Sequence, residues 1–289
     1  MITVFTPTYN RANTLSRLYN SLIQQTFKDF EWLIVDDGST DNTRGKINTF
    51  IDEHKISINY RYQKNGGKHR AINNGVRIAN GNIFFIVDSD DYLKSDALKI
   101  INSRFKEIQG QPRFAGVCGL RVDPNNQKIG GGYFDTLDCS PLDFRYKYRI
   151  KGDMAEAFYT DVLRKYPFPE FDSETFCTEA IVWNRISQKY ILRYFYEKIY
   201  VCEYRQDGLS ASSYEHQLLS PMATNLYYKE LFSYPIPITD KIRHGLIYWR
   251  CMYKSHKVSH MPLWLYLLYP AGICYVVLVK IRDFFRERR

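Results

Sequence analysis

The feature that most constrains the fold is a repeat of short strand-like runs, each followed by a polar cluster and a helical pattern. Four such runs lie in the first third of the chain: residues 2–6, 30–35, 58–62 and 83–87. Their length and composition are typical of strands, and the wholly apolar run 83–87 is typical of a buried strand. Between them, Leu15, Leu18 and Leu22 have the spacing of a buried helical face. Alternating strands and helices predict an α/β fold with a mostly parallel sheet.

A polar cluster follows each of these four runs. The clusters are residues 7–10, 36–41, 65–70 and 88–91. In parallel sheets, ligands bind beyond the carboxyl ends of the strands. We therefore expect the four clusters to line one cleft. Further along, strand-like runs at residues 114–122, 154–160 and 192–202 predict a second half of the domain, and a helix is expected to begin near Thr178.

The last cluster, Asp88-Ser89-Asp90-Asp91, carries three carboxylates directly after an apolar strand. In an extended chain Asp88 and Asp90 would point the same way, because they are two positions apart. Two such carboxylates repel each other unless a cation lies between them. Their oxygens suit Mg²⁺ or Mn²⁺, which is commonly shared with substrate phosphates. An acidic turn that caps the next helix is the alternative interpretation.

Residues 1 to about 110 resemble family 2 glycosyltransferases with the GT-A fold. The matching motifs are Thr6-Pro7-Thr8-Tyr9-Asn10-Arg11, Ser21-Leu22 with Gln25-Thr26-Phe27, Val35-Asp36-Asp37-Gly38-Ser39-Thr40-Asp41, Asn65-Gly66-Gly67-Lys68 and Asp88-Ser89-Asp90-Asp91. Residues 168–179 are similar to the acceptor-side region of the bacterial members, and the resemblance is weak past about residue 215. The resemblance of residues 1 to about 110 implies a GT-A nucleotide-sugar-binding fold with a mostly parallel central sheet.

The resemblance also implies a nucleotide site at these strand ends. Asp37 is expected to accept the N3–H of uracil, with Pro7 and Tyr9 forming the neighbouring wall of the base site. A turn role for Asp37 and a core role for Tyr9 are the alternatives. Lys68 and Arg70 are expected near the diphosphate, where a guanidinium grips two phosphate oxygens.

The resemblance assigns the DxD element to Asp88 and Asp90. Asp90 is expected to be the first ligand of Mn²⁺ or Mg²⁺. Asp88 is expected to bind either the metal or the ribose, and Ser89 is grouped with the nucleotide-binding residues. The metal would stabilise the negative charge that develops on the leaving phosphate.

Glu179 is the candidate general base, because the resemblance places the catalytic acid residue at the start of the helix near Thr178. The acidic pair usual in the family is incomplete here, since Ala180 follows. Glu179 as a helix-dipole residue is the alternative, and Glu174 and Glu170 are fallback bases. A single base opposite the leaving group implies inversion at the anomeric carbon.

The charge distribution sets the C-terminal region apart. Residues 241–289 hold ten Lys and Arg and two Asp and Glu, a formal +8 of the total +9. Within them, residues 263–279 carry no charge, over 17 positions, and are interrupted by Pro270 and Gly272. A membrane span needs about 20 residues. A basic, apolar segment of this kind favours an interfacial or partly inserted helical hairpin on an anionic membrane. A buried terminal helix and a full span are the alternatives.

These interpretations predict a catalytic domain over residues 1–215, with a nucleotide-binding half (1–110) and an acceptor half (111–215). A helical, basic, membrane-associating region would follow over residues 216–289. We expect an inverting, metal-dependent hexosyl- or N-acetylhexosaminyl-transferase that moves sugar from a UDP-sugar to a hydroxyl of a saccharide acceptor in surface polysaccharide synthesis. The acceptor is expected to be lipid-linked.

We expect this activity at the cytoplasmic face of the cell membrane, because no apolar leader opens the chain and six widely spaced cysteines indicate a reducing compartment. No nucleic-acid partner is expected. A nucleotidyltransferase is disfavoured, because the glycine-rich, Arg-containing loop that class needs after the first strand is absent. A non-catalytic partner that keeps the fold is the other alternative.

Overall fold

The computed structural model describes residues 1–203, 213–252 and 261–274. Within these ranges the strands are β1 (Ile2–Thr8), β2 (Phe30–Asp36), β3 (Ile58–Tyr62), β4 (Ile83–Ile86), β5 (Tyr92–Leu93), β6 (Phe114–Val122), β7 (Leu137–Cys139), β8 (Met154–Tyr159) and β9 (Ile191–Val201). The helices are α1 (Leu15–Ile23), α2 (Thr43–Asp52), α3 (Lys68–Ile78), α4 (Ala97–Glu107), α5 (Pro141–Tyr146), α6 (Thr160–Lys165), α7 (Ala180–Ile186), α8 (Ser213–Leu219), α9 (Pro221–Ser233), α10 (Ile238–Met252) and α11 (Leu263–Leu267).

All of these strands belong to one mixed sheet, in the order β3-β2-β1-β4-β8-β6-β9-β5, with β7 paired to β9. The first four strands in this order are parallel. Strand β8 runs antiparallel to both β4 and β6, so β6 and its parallel neighbour β9 point the same way as β4. The carboxyl ends of β1, β2, β3, β4, β6 and β9 therefore lie along one edge of the sheet.

Helices on the sheet account for the apolar runs. Strands β1 and β2 are buried along their whole length. Leu15, Leu18 and Leu22 are fully buried, as the helical spacing predicted. Tyr19 of α1 stacks on Phe50 of α2 with ring centroids 4.0 Å apart, so these two helices cover the same face. Strands that lose both faces to packing need apolar side chains at every position, and that need explains the continuous runs.

The chain divides into two compact units. The first contains Met1–Phe168 and Val182–Gln206, and the second contains Pro169–Ile181 and Asp207–Arg289. The whole sheet lies in the first unit. Of the helices predicted over residues 215–260, the part up to residue 252 is present in the second unit as α8, α9 and α10, with the expected break at Pro235–Pro237. Residues 253–260 lie outside the described residues. The domain boundary at residue 215 stays a prediction.

Helix α11 is attached to α10 within the second unit. The indole Nε1 of Trp249 donates a hydrogen bond of 2.7 Å to the carbonyl of Leu265, whose side chain is fully buried. Leu263 and Leu267 are 82% and 79% exposed. In the part of the chain that the structure describes, no helix is both long enough and apolar enough to cross a membrane. Lys254, Lys257 and the basic residues 280–289 lie outside the described residues.

Candidate active site

The first two polar clusters are joined by Asn10. Its backbone has φ of 52°, a left-handed conformation that asparagine tolerates. Its side-chain oxygen accepts the N–H groups of Thr40 (2.8 Å) and Asp41 (3.3 Å), and its own N–H donates to Ser39 Oγ (2.8 Å). These bonds fix the end of β1 against the loop after β2. The neighbouring Tyr9 is 47% exposed, so its ring faces solvent at this edge, whereas Pro7 is buried within β1.

Asp37 joins the second cluster to the third. Its carboxylate is 4% exposed and accepts the N–H groups of Gly66 (2.9 Å) and Gly67 (2.7 Å) and the amide of Gln63 (2.7 Å). Three of its roughly four acceptor positions are thereby used inside the protein. Gly67 has φ of 97°, which a side chain would strain. Asp37 therefore shapes the loop before α3, and a contact with uracil would have to use its remaining lone pair.

The third cluster begins helix α3, with Gly67 as the N-cap and Lys68 as the first helical residue. A helix N-terminus carries partial positive charge and open backbone N–H groups, which favour an anion. Lys68 Nζ lies 2.6 Å from Asp88 Oδ1, so it also connects this helix to the fourth cluster. Arg70 lies two positions further along the first turn and packs against Gly66, where an added Cβ would come within 2.7 Å of Arg70 Cδ.

The fourth cluster forms a turn instead of the extended segment expected from the sequence. Strand β4 ends at Ile86, and the Asp91 N–H donates to the Asp88 carbonyl at 3.1 Å. The Asp88 carboxylate faces two cations, Lys68 and Arg121, the latter 3.8 Å from Oδ2. Burial opposes the ionised form of Asp88, but these two charges outweigh it and hold its pKa below the ordinary value.

Asp90 and Asp91 have opposite environments. Asp90 is 20% exposed, and its carboxylate lies 3.9 Å from Arg11 Nε. Asp91 is buried, accepts the Tyr200 hydroxyl at 2.7 Å and the Glu203 N–H at 3.3 Å, and so faces the interior. Burial, reinforced by the charge of Asp88, raises the pKa of Asp91 to about 7. Asp91 is an internal anchor of the turn, while Asp88 and Asp90 are partly exposed.

Asp88 and Asp90 fit a divalent cation that is shared with a ligand. Among the residues described, no group of three or more His, Cys, Asp or Glu side chains could hold a metal by itself. Mg²⁺ is typically held by one or two carboxylates together with substrate phosphates, so two partly exposed carboxylates suffice when a diphosphate completes the shell. Asp90 is the more available of the two, because Asp88 already has a close ammonium partner.

Sequence reasoning missed Arg17, Arg121 and Tyr200, which all contact the fourth cluster. Arg17 of α1 donates to the Asp90 carbonyl and pairs with Glu203 at 2.7 Å. Arg121 stands near the end of β6 and Tyr200 near the end of β9, at the same edge of the sheet. One signal was available: Arg121 is the only charged residue in the otherwise apolar strand β6.

The candidate base Glu179 directly precedes helix α7 and belongs to the second unit. Its side chain is half-buried. The fallback residue Glu174 is buried, and its two oxygens accept the N–H groups of Met222 (2.7 Å) and Ala223 (2.9 Å) in the first turn of α9. Glu174 thus acts as a helix cap supplied from another segment, so both of its carboxylate oxygens already have partners within the protein. Glu170 is exposed.

Comparison with known proteins gives one family. The family model described as "Glycosyl transferase family 2" matches residues 3–135. A GalNAc(5)-diNAcBac-PP-undecaprenol beta-1,3-glucosyltransferase of Campylobacter jejuni is 30% identical over 219 residues, which are 72% of this chain and 67% of that protein. The chain spans only 14% to 36% of the length of other curated relatives that it matches.

Two solved structures have a similar fold. Staphylococcus aureus TarS 1-349, in complex with UDP-GlcNAc, matches 94% of this chain and 79% of that chain with a TM-score of 0.63 and 19% identity. The mannosyltransferase PcManGT of Pyrobaculum calidifontis, in complex with GDP-Man and Mn²⁺, matches 98% of this chain and 82% of that chain with a TM-score of 0.59 and 17% identity. At these identities the likeness concerns the fold.

Proposed function

Because this chain belongs to glycosyl transferase family 2 and has the GT-A fold, we propose that it transfers a hexose or N-acetylhexosamine from a UDP-sugar to a saccharide hydroxyl. The observation that carries the proposal is the linkage of all four polar clusters at one sheet edge. Asn10, Asp37 and Lys68 each join one cluster to the next. The linked clusters present an exposed aromatic ring, a helix N-terminus and two partly exposed carboxylates at the same edge of the sheet. A nucleoside diphosphate could use the ring for its base, the helix N-terminus for its phosphates and the carboxylates for the accompanying cation.

In this proposal the diphosphate lies against the N-terminus of α3, between Lys68, Arg70 and the turn at residues 88–91. Asp90, with Asp88, would hold Mn²⁺ or Mg²⁺, which would supply Lewis-acid stabilisation of the leaving diphosphate. Lys68, which lies 2.6 Å from Asp88, would contribute positive charge beside the donor phosphates from the first turn of α3. Tyr9 and Pro7 flank the base, and Ser89 lies within the same turn.

Glu179 removes the proton from the acceptor hydroxyl in this scheme. The oxygen then attacks the anomeric carbon from the face opposite the diphosphate, so the bond to the sugar forms as the bond to phosphate breaks. A single displacement inverts the configuration at that carbon. The role of Glu179 rests on the family resemblance at the start of α7.

We infer a lipid-linked acceptor from the relative in Campylobacter jejuni, whose name specifies a PP-undecaprenol substrate. A lipid-linked acceptor requires the enzyme to work at a membrane, here the cytoplasmic face. Exposed Leu263 and Leu267, one helical turn apart on α11, support attachment through an apolar face. The formal charge of +8 over residues 241–289 would add attraction to anionic headgroups.

A screen of UDP-sugars for Mn²⁺-dependent turnover, with and without lipid-linked saccharide acceptors, tests the reaction. We expect release of UDP that requires both the metal and an acceptor. Metal-dependent UDP binding without turnover on any acceptor would favour the non-catalytic alternative. Absence of UDP binding, with and without metal, would overturn the proposal.

Membrane attachment is tested with a double variant, Leu263→Ser with Leu267→Ser, in sedimentation with phosphatidylglycerol vesicles. We expect a loss of vesicle affinity of about a hundredfold or more, because each of the two leucines contributes about 1.5–3 kcal/mol on burial. Leu219→Ser is the matched control, since Leu219 is 75% exposed on α8. Point variants are preferable to deletion of residues 261–289, which would remove the buried Leu265 from Trp249. An equal loss in the control, or none in the double variant, would contradict attachment through α11.

A further inference from the structure

The pairing of β6 with β9 is irregular, and the irregularity determines which residue of β9 lies opposite Arg121. Cys118 lies opposite Tyr194, but Leu120 lies opposite Lys198 and Arg121 opposite Tyr200. Over this stretch β9 therefore carries extra residues relative to β6. Such bulges alter which side chain faces the partner strand and are frequent beside active sites. Regular pairing from Cys118 onward would have placed Glu197 opposite Arg121.

Tyr200 connects the two ends of the turn formed by residues 88–91. Its buried hydroxyl accepts the Asp88 N–H at 3.0 Å and donates to Asp91 Oδ2 at 2.7 Å. One hydroxyl group thus fixes the backbone where the turn begins and the carboxylate where it ends. Because the tyrosine is fully buried on a strand that has neighbours on both sides, it provides a rigid support.

Arg121 completes this support. Its guanidinium lies 4.2 Å from the centroid of the Tyr200 ring, within the range of a cation–π contact. Its Nε donates to the Met154 carbonyl at 2.7 Å, which ties the same side chain to β8. From that position it faces the Asp88 carboxylate at 3.8 Å.

We propose that Tyr200 and Arg121 are positioning residues that hold Asp88 and Asp90 in the orientation needed to bind the donor diphosphate and its cation. The inference rests on the proposed function for its ligand, while the support of the turn stands on the contacts alone. Ligand groups have to be held within about 0.5 Å of their productive positions, which requires a second set of residues behind them. Neither side chain needs to touch the donor in order to act.

Tyr200→Phe tests the inference, because it removes the hydroxyl and keeps the ring under Arg121. The matched control is Tyr194→Phe, a buried tyrosine on the same strand that stacks on Phe144 at 3.8 Å. Hydrogen–deuterium exchange of peptides that cover residues 86–93 is measured in the unliganded protein. Calorimetric titration with UDP and Mn²⁺, and the donor KM and kcat, are measured on the same variants.

We expect faster exchange over residues 86–93 in Tyr200→Phe than in Tyr194→Phe. The affinity for UDP with Mn²⁺ should fall about tenfold or more, as for the loss of a hydrogen bond to a charged group. Donor KM should rise by a similar factor, with a smaller change in kcat. Unchanged exchange over the turn, or faster exchange with unchanged UDP affinity and KM, would overturn the inference.

Arg121→Lys is a second variant in case Tyr200→Phe does not fold. It keeps a positive charge near Asp88 and loses the planar contact with Tyr200 and the bond to the Met154 carbonyl. We expect faster exchange over residues 86–93 and weaker UDP binding, both by less than in Tyr200→Phe. Wild-type exchange together with wild-type UDP affinity would count against the inference. If the wild-type chain binds no UDP, the proposed function fails, and the exchange data alone decide whether Tyr200 and Arg121 support the turn.

Discussion

The two acidic turns at this edge of the sheet, residues 36–41 and 88–91, look alike in the sequence. They differ in which groups form hydrogen bonds or ion pairs with their carboxylates. In the turn after β2, Asp36 accepts the Ser39 N–H and the Tyr60 hydroxyl, and Asp37 accepts two glycine N–H groups and an amide. All of these donors are neutral and belong to the fold. In the turn after β4, Asp88 and Asp90 face the side chains of lysine and arginine.

This difference in hydrogen-bond and ion-pair partners indicates which carboxylates are available to a ligand. A buried carboxylate that accepts backbone N–H groups cannot release them without leaving those donors unsatisfied, which costs about 1–3 kcal/mol for each buried group. A partly exposed carboxylate in an ion pair with a side-chain cation exchanges that partner for a metal ion at much smaller cost. By this criterion we expect the first turn to shape the site and the second turn to bind the ligand.

The largest effect on turnover is expected in the second unit, where Glu174 accepts backbone N–H groups and Glu179 is the candidate base. Glu179→Gln should lower kcat by about 100- to 10,000-fold with UDP affinity unchanged, because it removes the proton acceptor. Glu174→Gln should instead cost about 1 kcal/mol of stability through the cap of α9, with turnover within a few-fold of wild type. Steady-state kinetics and urea denaturation separate the two. The reverse pattern would move the base from Glu179 to Glu174.

Asp90→Ala tests whether the second turn serves ligand binding and not the stability of the fold. The metal contribution to UDP affinity should disappear, and turnover should fall about 1,000-fold, since Lewis-acid stabilisation is worth several kcal/mol. The free energy of unfolding should change by less than about 0.5 kcal/mol, because Asp90 has a single long ion pair with Arg11. Calorimetry with and without Mn²⁺ measures the first effect. Equal UDP binding by the wild type in both conditions would remove the metal assignment from the second turn.

Asp37→Ala is expected to affect stability first. It removes the acceptor of Gly66, Gly67 and Gln63, so the free energy of unfolding should fall by about 3 kcal/mol. UDP affinity should fall as well, because the loop before α3 loses its shape. Urea denaturation is the measurement, with Asp90→Ala as the matched control. A stable Asp37→Ala protein that has lost only UDP affinity would reassign Asp37 from loop building to direct base recognition.

Much of the nucleotide half was predictable because it is local. Apolar runs predicted β1 to β4 within two residues at each end, and the polar clusters after them are joined as expected. The parts that were not predictable depend on partners distant in the sequence. Asp91 became an anchor because Tyr200, from a strand more than a hundred residues later, approaches it.

The sequence by itself determined the strand–helix alternation, the edge at which the polar clusters gather, and membership of the family. The strand-like runs, the period-3.6 helical spacing between them and the order of the motifs along the chain carry that information. The tertiary structure decided which carboxylates are occupied by the fold and which face outward. Four adjacent letters, Asp88-Ser89-Asp90-Asp91, give no basis for that choice. It depends on a turn, on the register of β6 against β9 that sets Arg121 opposite Tyr200, and on the side-chain cations that face Asp88 and Asp90.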